Sequence, residues 1–277
     1  MQRDFDPGYQ RQPYRGLVGD CPDESVYPSD SFRLEWGPIF HRGRLDGTAR
    51  VLIIGQDPAT HETITRRILV GEAGQRVQGL LGRLGIDRSY VFINTFLYSV
   101  FGQRGGQRHI RDEAIAAYRH RWINAIVRDQ HIEAIITLGQ LADTAYEMWR
   151  DTPRGAANPA AYATVLHPTF PESASAAGNM SKAAAFARVC ASWNSLLDTM
   201  RPVVTPDTPV PLRHYGTTIT KDDLRPIPVG DLPPGLPEWM GSLDAWAKRT
   251  GDSKQMKRAT ITVTVPSRAR NWPALPS

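Results

Sequence analysis

The sequence predicts an α/β fold: a three-layer sandwich with a central, mostly parallel four-stranded sheet flanked by helices. Between about residues 31 and 200, short apolar runs of four or five β-prone residues alternate with longer segments whose apolar positions recur every three to four residues. The short runs are continuously apolar rather than alternating, as expected of parallel strands covered by helices on both faces. Past residue 200 the composition turns proline-dense, which bounds the domain.

Taken in order, residues 1–30 are polar, with prolines and aromatics but no period, and read as a loosely ordered polar leader. The opening MQRDFDPGYQ has no apolar stretch of the signal-peptide kind. RVLIIG (50–55), YVFIN (90–94), EAIITLG (133–139) and ATVLH (163–167) supply the four strands. Helices are expected over roughly 73–84, 112–129, 140–150 and 181–200. The last of these aligns Phe186, Val189, Cys190, Trp193, Leu196, Leu197 and Met200 on one face. RPVVTPDTPVPL and RPIPVGDLPPGLP read as a linker, so 201–277 is a Pro-rich linker and tail. Within it a short helix is expected near 236–249 and a strand at ITVTV (261–265).

A 41% hydrophobic and 22% charged composition is that of an ordinary globular chain with enough apolar residues for a sizeable core. No run approaches 18 apolar residues, so no membrane span is expected and the cytoplasm is the default location. Two cysteines, Cys21 and Cys190, cannot build a disulfide framework or a four-cysteine metal cluster; Cys190 falls on the helical stripe and is expected in the core. The net charge of +5 comes from 28 arginines and five lysines, a balance that suits an anionic partner. No lysine precedes Lys182, so the domain is almost free of amine nucleophiles.

In an open α/β sheet, ligands bind at the carboxyl ends of the strands. Three of the four predicted strands end in residues able to do chemistry: Asp57 in GQDP, Asn94 in YVFIN, and His167 in HPTFPES. Each also has a local reading: Asp57 as a turn cap before Pro58, Asn94 as a strand-end turn residue, His167 as a loop histidine. Their joint placement at one sheet edge favours a site. GxGxxG and GxxxxGK[ST] are both absent, which lowers the case for a nucleotide-binding enzyme.

GQDP after an apolar strand, Ile93-Asn94 closing the next, and HPT after a late strand together resemble the uracil-DNA glycosylase superfamily across roughly residues 32–198. ILVGEAGQRVQGLLGRLGI (68–86) is similar to the segment that follows the first motif in the iron–sulfur branch. That branch needs four cysteine ligands and this chain has two, so no cluster, metal or other cofactor is expected. GQDP itself is closer to the cluster-free uracil enzymes.

The resemblance implies hydrolysis of an N-glycosidic bond through an oxocarbenium-like sugar with the base leaving as an anion. Asp57 would stabilise the sugar cation and orient the attacking water. His167 would donate a hydrogen bond to base oxygen O2, and Asn94 would read the pyrimidine edge. Gly55, Gln56, Pro58, Ala59, Leu69 and Asn94 would line the base pocket. Glu62 is a second carboxylate near the first motif, where the iron–sulfur branch is acidic. It is either a surface residue or an auxiliary to Asp57. Phe170 would either fill the gap left by a flipped base, with Ser173 beside it on the DNA, or pack in the core or loop. FGQRGGQRHIR (101–111) places Arg104, Arg108 and Arg111 in a flexible glycine-rich loop that could grip phosphate.

Two departures bear on the substrate. Ala59 stands where the uracil enzymes carry a tyrosine that blocks the pyrimidine C5 position, and Leu69 stands where the resemblance places a stacking phenylalanine. The pocket is therefore expected to admit uracil, a mismatched thymine or a C5-modified pyrimidine. Some superfamily members excise bulky modified cytosines from phage DNA, so repair and antiviral defence both follow as expectations. With no lysine before Lys182, a monofunctional enzyme leaving an abasic site is expected, acting on DNA as a monomer. The rivals are a non-catalytic DNA-binding module on this fold and an unrelated α/β hydrolase using Asp57.

Overall fold

A computed structural model describes residues 8–243 and 246–267. In chain order the elements are α1 (Tyr14–Gly19), β1 (His41–Gly43), β2 (Val51–Gly55), α2 (Thr60–Thr65), α3 (Glu72–Arg83), β3 (Tyr90–Asn94), α4 (Gly102–His109) and α5 (Glu113–Asp129). They continue with β4 (Ala134–Leu138), α6 (Gln140–Arg150), α7 (Pro153–Ala156), β5 (Ala161–Val165), α8 (Phe170–Ala176), α9 (Lys182–Met200), β6 (Trp246–Arg249), α10 (Lys254–Ala259) and β7 (Ile261–Thr264).

The central sheet runs β1-β3-β2-β4-β5, with β3, β2, β4 and β5 parallel. It thus has five strands where the sequence predicts four. The fifth, β1, is an antiparallel edge strand on β3. His-Arg-Gly carries no apolar signature, yet all three residues are buried. Successive side chains of a strand point to opposite faces. Leu52, Ile54, Val91, Ile93 and Ile135 accordingly pack against Trp122, Ile123, Tyr146 and Trp149 on one side. Val51, Ile53, Phe92, Ala134 and Ile136 pack against Leu80, Leu81, Val189, Trp193 and Leu197 on the other, with Cys190 in that layer. Asp112 caps α5 by accepting from Ala114 N–H, and Ser181 caps α9 through Ala184 N–H, so both long helices start where their side-chain caps place them.

Four expectations are corrected. From residue 8 onward the leader is structured: Tyr14 and Leu17 of α1, and Tyr27, are buried in the core. The fourth strand ends at Val165, so Leu166 and His167 lie beyond the sheet. The glycine-rich stretch is helix α4, in which Gly106 sits so close to Leu141 that a Cβ there would approach its Cδ1 to 2.9 Å. The helix expected near 236–249 is a 3₁₀ turn (Glu238–Gly241) followed by strand β6, paired antiparallel with β7.

The proline-dense stretch predicted as a linker is laid across the domain. Asp207 accepts from the N–H groups of Asp87, Arg88 and Ser89 at 2.8–3.0 Å and pairs with Arg50 at 2.5 Å. Ile227, Leu232 and Met240 form a small apolar cluster with Val70. Asp231, fully buried, pairs with the equally buried Arg42 at 2.5 Å and accepts from the Tyr90 hydroxyl at 2.7 Å. Burying two charges is costly unless they are paired and hydrogen-bonded, so Arg42 depends on this tail carboxylate.

Candidate active site

The chain leaves β2 at Gly55, level with Asn94 at the end of β3. The two strand ends are stitched together beyond the sheet. Thr95 N–H donates to Gly55 C=O at 2.9 Å, and Phe96 N–H to Gln56 C=O at 2.9 Å. This turn holds Asp57 at the sheet edge, where its Oδ2 accepts from Val100 N–H at 3.0 Å, while the next residue, Pro58, is buried. Burial pushes the Asp57 carboxyl up to about 6, helped by the negative charge of Glu62 and opposed by the Val100 hydrogen bond and by the charge of Arg249. At neutral pH Asp57 is nonetheless a carboxylate.

Asn94 comes close to Gly55. A Cβ at residue 55 would lie 2.4 Å from Asn94 Oδ1 and 3.5 Å from Leu69 Cδ1, so the glycine is what lets these three residues converge. Asn94 is buried, and its Oδ1 has no hydrogen-bond partner among the described residues. An orphaned buried acceptor costs about 1–3 kcal/mol, so this oxygen is an energetic exception at the sheet edge.

Leu69 is held in the left-handed region at φ +51°, which a residue with a branched side chain adopts only under constraint. The constraints are visible. Arg42 Nε donates to Ile68 C=O at 2.8 Å, and Val70 N–H donates to Glu62 Oε1 at 3.2 Å. The Leu69 carbonyl also occupies the space a Cβ of residue 74 would need. Glu62 is buried and spends its other oxygen on Ala59 N–H at 3.1 Å. It therefore ties the segment after Asp57 to the segment carrying Leu69, and it acts on Asp57 through charge.

On the other side, β4 is followed by Gly139, whose φ of +86° and missing Cβ leave room for His167, its Cβ 3.1 Å from where a Cβ of residue 139 would be. His167 follows β5, two strands away from β2. At the ordinary strand spacing this leaves roughly 10 Å between the strand ends. His167 Nδ1 accepts from Thr169 N–H at 3.2 Å and lies 2.9 Å from its Oγ1. With Nδ1 an acceptor, the proton of the neutral ring sits on Nε2. Burial, reinforced by the charge of Arg76, pushes the imidazole down to about 4, so it is a neutral N–H donor at physiological pH. Arg76 fixes the loop by donating to Pro168 C=O at 2.5 Å and to both oxygens of Glu172 at 3.1 and 3.0 Å.

The structure thus places Gly55, Gln56, Asp57, Pro58, Leu69 and Asn94 around adjacent strand ends, with His167 on the same edge across β4; Ala59 is exposed beside them. Phe170 is the first residue of α8, packed partly into the core with the Arg188 guanidinium 5.5 Å over its ring, and so is less free than a wedge at a loop tip. The Ser173 hydroxyl donates back to its own helix at Thr169 and Phe170 C=O. Arg108 and Arg111 are exposed, whereas the side chain of Arg104 lies outside the described residues. Among the described residues no group of three or more His, Cys, Asp or Glu could hold a metal. No helix among the described residues is long and apolar enough to cross a membrane. Two site features escape a reading of the sequence: Arg42, whose role depends on Asp231, and Arg249, which follows the proline-dense stretch in a segment with no recognisable motif.

No curated protein matches this chain. A sequence model of the Uracil DNA glycosylase superfamily matches residues 42–193, from β1 to α9, and so covers Asp57, Asn94 and His167 and more than half of the chain. With the parallel sheet and helices around those strand ends, this establishes that the chain belongs to the uracil DNA glycosylase superfamily.

Proposed function

We propose that the chain is a monofunctional DNA glycosylase that hydrolyses the N-glycosidic bond of uracil or a C5-modified or mismatched pyrimidine, leaving an abasic site. The observation that carries the reading is the buried, unpartnered Oδ1 of Asn94 beside Asp57. An acceptor there suits an N–H on a pyrimidine edge, either N3–H of uracil or thymine or the exocyclic amine of a cytosine derivative. Asp57, ionised above about pH 6, stabilises the developing sugar cation and orients the water. Neutral His167 offers Nε2–H to O2 as the base departs with negative charge, and losing such a donor typically costs roughly 10²–10³ in rate.

Exposed Ala59 puts only a methyl where a C5 substituent would point, which favours a substrate larger than uracil on that side. Water is the nucleophile, since the first lysine, Lys182, sits 3.6 Å from Glu172 as its ion-pair partner. Arg104 and Arg108 on α4, with Phe170 and Ser173 near His167, are the proposed DNA contacts, and the chain acts as a monomer in the cytoplasm. A base-release panel tests this. Oligonucleotides carrying uracil, G·T, 5-hydroxymethylcytosine or its glucosylated form, single- and double-stranded, are incubated with the protein and then treated with alkali. Release that disappears in Asp57→Asn supports the reading. Release from the bulky bases alone assigns the protein to defence against modified DNA, and release from uracil alone to repair. No release from any substrate refutes the enzyme.

A further inference from the structure

Residues from both ends of the chain, outside the family-matched segment, meet beside Asp57. Trp36 closes a 3₁₀ turn (Leu34–Trp36) ahead of β1, and Arg249 is the last residue of β6. The β6–β7 hairpin is docked on α2, the helix that begins three residues after Asp57. Ala247 N–H donates to Nε2 of the buried His61 at 3.0 Å. This docking brings the Arg249 guanidinium over the Trp36 ring, 4.5 Å from its centroid. Arg33 lies over the same ring at 4.9 Å and over Phe101 at 4.2 Å. Phe101 follows Val100, the residue whose N–H holds Asp57.

Arg249 is half-buried, its Nε is buried without an acceptor, and its guanidinium makes no hydrogen bond or ion pair with any described residue. Asp57 and Glu35 reach it only through their fields. A guanidinium presents five N–H donors in one plane, and stacking on an indole leaves that edge open to an anion. Arg33 adds a like charge beside it, offset by Glu35, 3.8 Å from Arg33, and by Asp57. The fork is thus oriented and unsatisfied, next to the carboxylate assigned to the sugar.

We propose that Arg249 is a phosphate-binding residue: its guanidinium, set over Trp36 beside Asp57, receives the DNA phosphodiester flanking the flipped nucleotide, so that the C-terminal hairpin forms one jaw of the DNA site. The inference rests on the glycosylase reading, because it needs a nucleotide at Asp57.

The test uses the full-length chain and a duplex containing a tetrahydrofuran abasic analogue, which has no base to release. Binding is followed by fluorescence anisotropy at several salt concentrations. Arg249→Ala is expected to weaken binding about tenfold and to lower the slope of log K against log salt by about 1, the loss of one phosphate contact. Arg249→Lys, which keeps the charge, retains most of the slope and shows that the hairpin tolerates substitution. Replacing single flanking phosphates by methylphosphonates should weaken the wild type at one position and leave Arg249→Ala unaffected there. If Arg249→Ala keeps the wild-type slope and the same methylphosphonate sensitivity, the assignment is overturned while the glycosylase reading stands. If the wild type does not bind the abasic duplex at all, the glycosylase reading itself falls, and the proposal with it.

Discussion

Replacing Asp57 by asparagine should stabilise the protein while abolishing base release. The carboxyl is pushed from 3.8 to about 6 mainly because its charged form is poorly solvated at the sheet edge. Each factor of ten in proton affinity corresponds to about 1.4 kcal/mol, so the ionised group costs the folded state about 3 kcal/mol at neutral pH, and about 2–3 kcal/mol given its residual solvent contact. Between pH 4 and 6 the folded protein holds this proton and the unfolded chain does not. Stability contributed at this position therefore falls as pH rises through that window, and the penalty is complete above it. Asparagine removes the penalty and still offers Val100 N–H an oxygen. Urea denaturation followed by tryptophan fluorescence should show Asp57→Asn more stable by about 2–3 kcal/mol at pH 7.5, with the advantage gone near pH 4. Base release by the wild type should decline about tenfold per pH unit below about 6. A variant less stable than the wild type at pH 7.5, or a gain independent of pH, would refute this account of Asp57.

Other consequences follow from the same geometry. Gly55→Ala puts a Cβ 2.4 Å from Asn94 Oδ1, so the amide must rotate away. Release should fall roughly 10²-fold, as for loss of an oriented donor or acceptor, with a stability cost of about 1–3 kcal/mol measurable by urea titration. Asp231→Ala leaves Arg42 buried without its carboxylate and should cost about 3–5 kcal/mol. In that variant, amide exchange at Ile68–Val70 should also quicken, because Arg42 is what holds the Ile68 carbonyl. His167 is pushed down to about 4, so the folded state resists its protonation, and stability linked to it is lost only as pH drops below 6.5. Imidazole nitrogen NMR should find the neutral ring with its proton on Nε2 at pH 6. An imidazolium signal there would sink the donor role.

The parallel strands and long helices were legible because their apolar residues repeat at the period of the element that buries them, as in VLIIG and the Val189-to-Met200 stripe. That Asp57, Asn94 and His167 lie at or just beyond strand ends on one sheet edge was legible because each follows an apolar strand run in the sequence. β1 was not, because its buried residues are His41 and Arg42, and what makes Arg42 tolerable is a carboxylate contributed by Asp231, far along the chain. The 201–243 stretch hid for a related reason. Its buried apolar residues, Val204, Tyr215, Ile227, Leu232 and Met240, are separated by prolines and follow no period, because they pack onto two different parts of the domain rather than along one element. Helix α4 reads as a loop because its three glycines, Gly102, Gly105 and Gly106, lower helix propensity. At Gly106 the absence of a side chain is what packing against Leu141 requires.

The bond between Arg42 and Asp231 spans 189 residues, and it has a consequence in time. At a synthesis rate of about 5–20 residues per second, the ribosome needs roughly 10–40 s to deliver the partner of a guanidinium already made. Once His167 has been made, with Asp231 still 64 residues ahead, the nascent chain holds Asp57, Asn94 and His167 but lacks the counterion of Arg42, the residue that holds the Ile68 carbonyl. The base pocket is therefore among the last parts of the molecule to be finished. A ribosome that stalls after codon 193 and before codon 231 releases a fragment containing the whole family-matched segment without the carboxylate that pairs with Arg42.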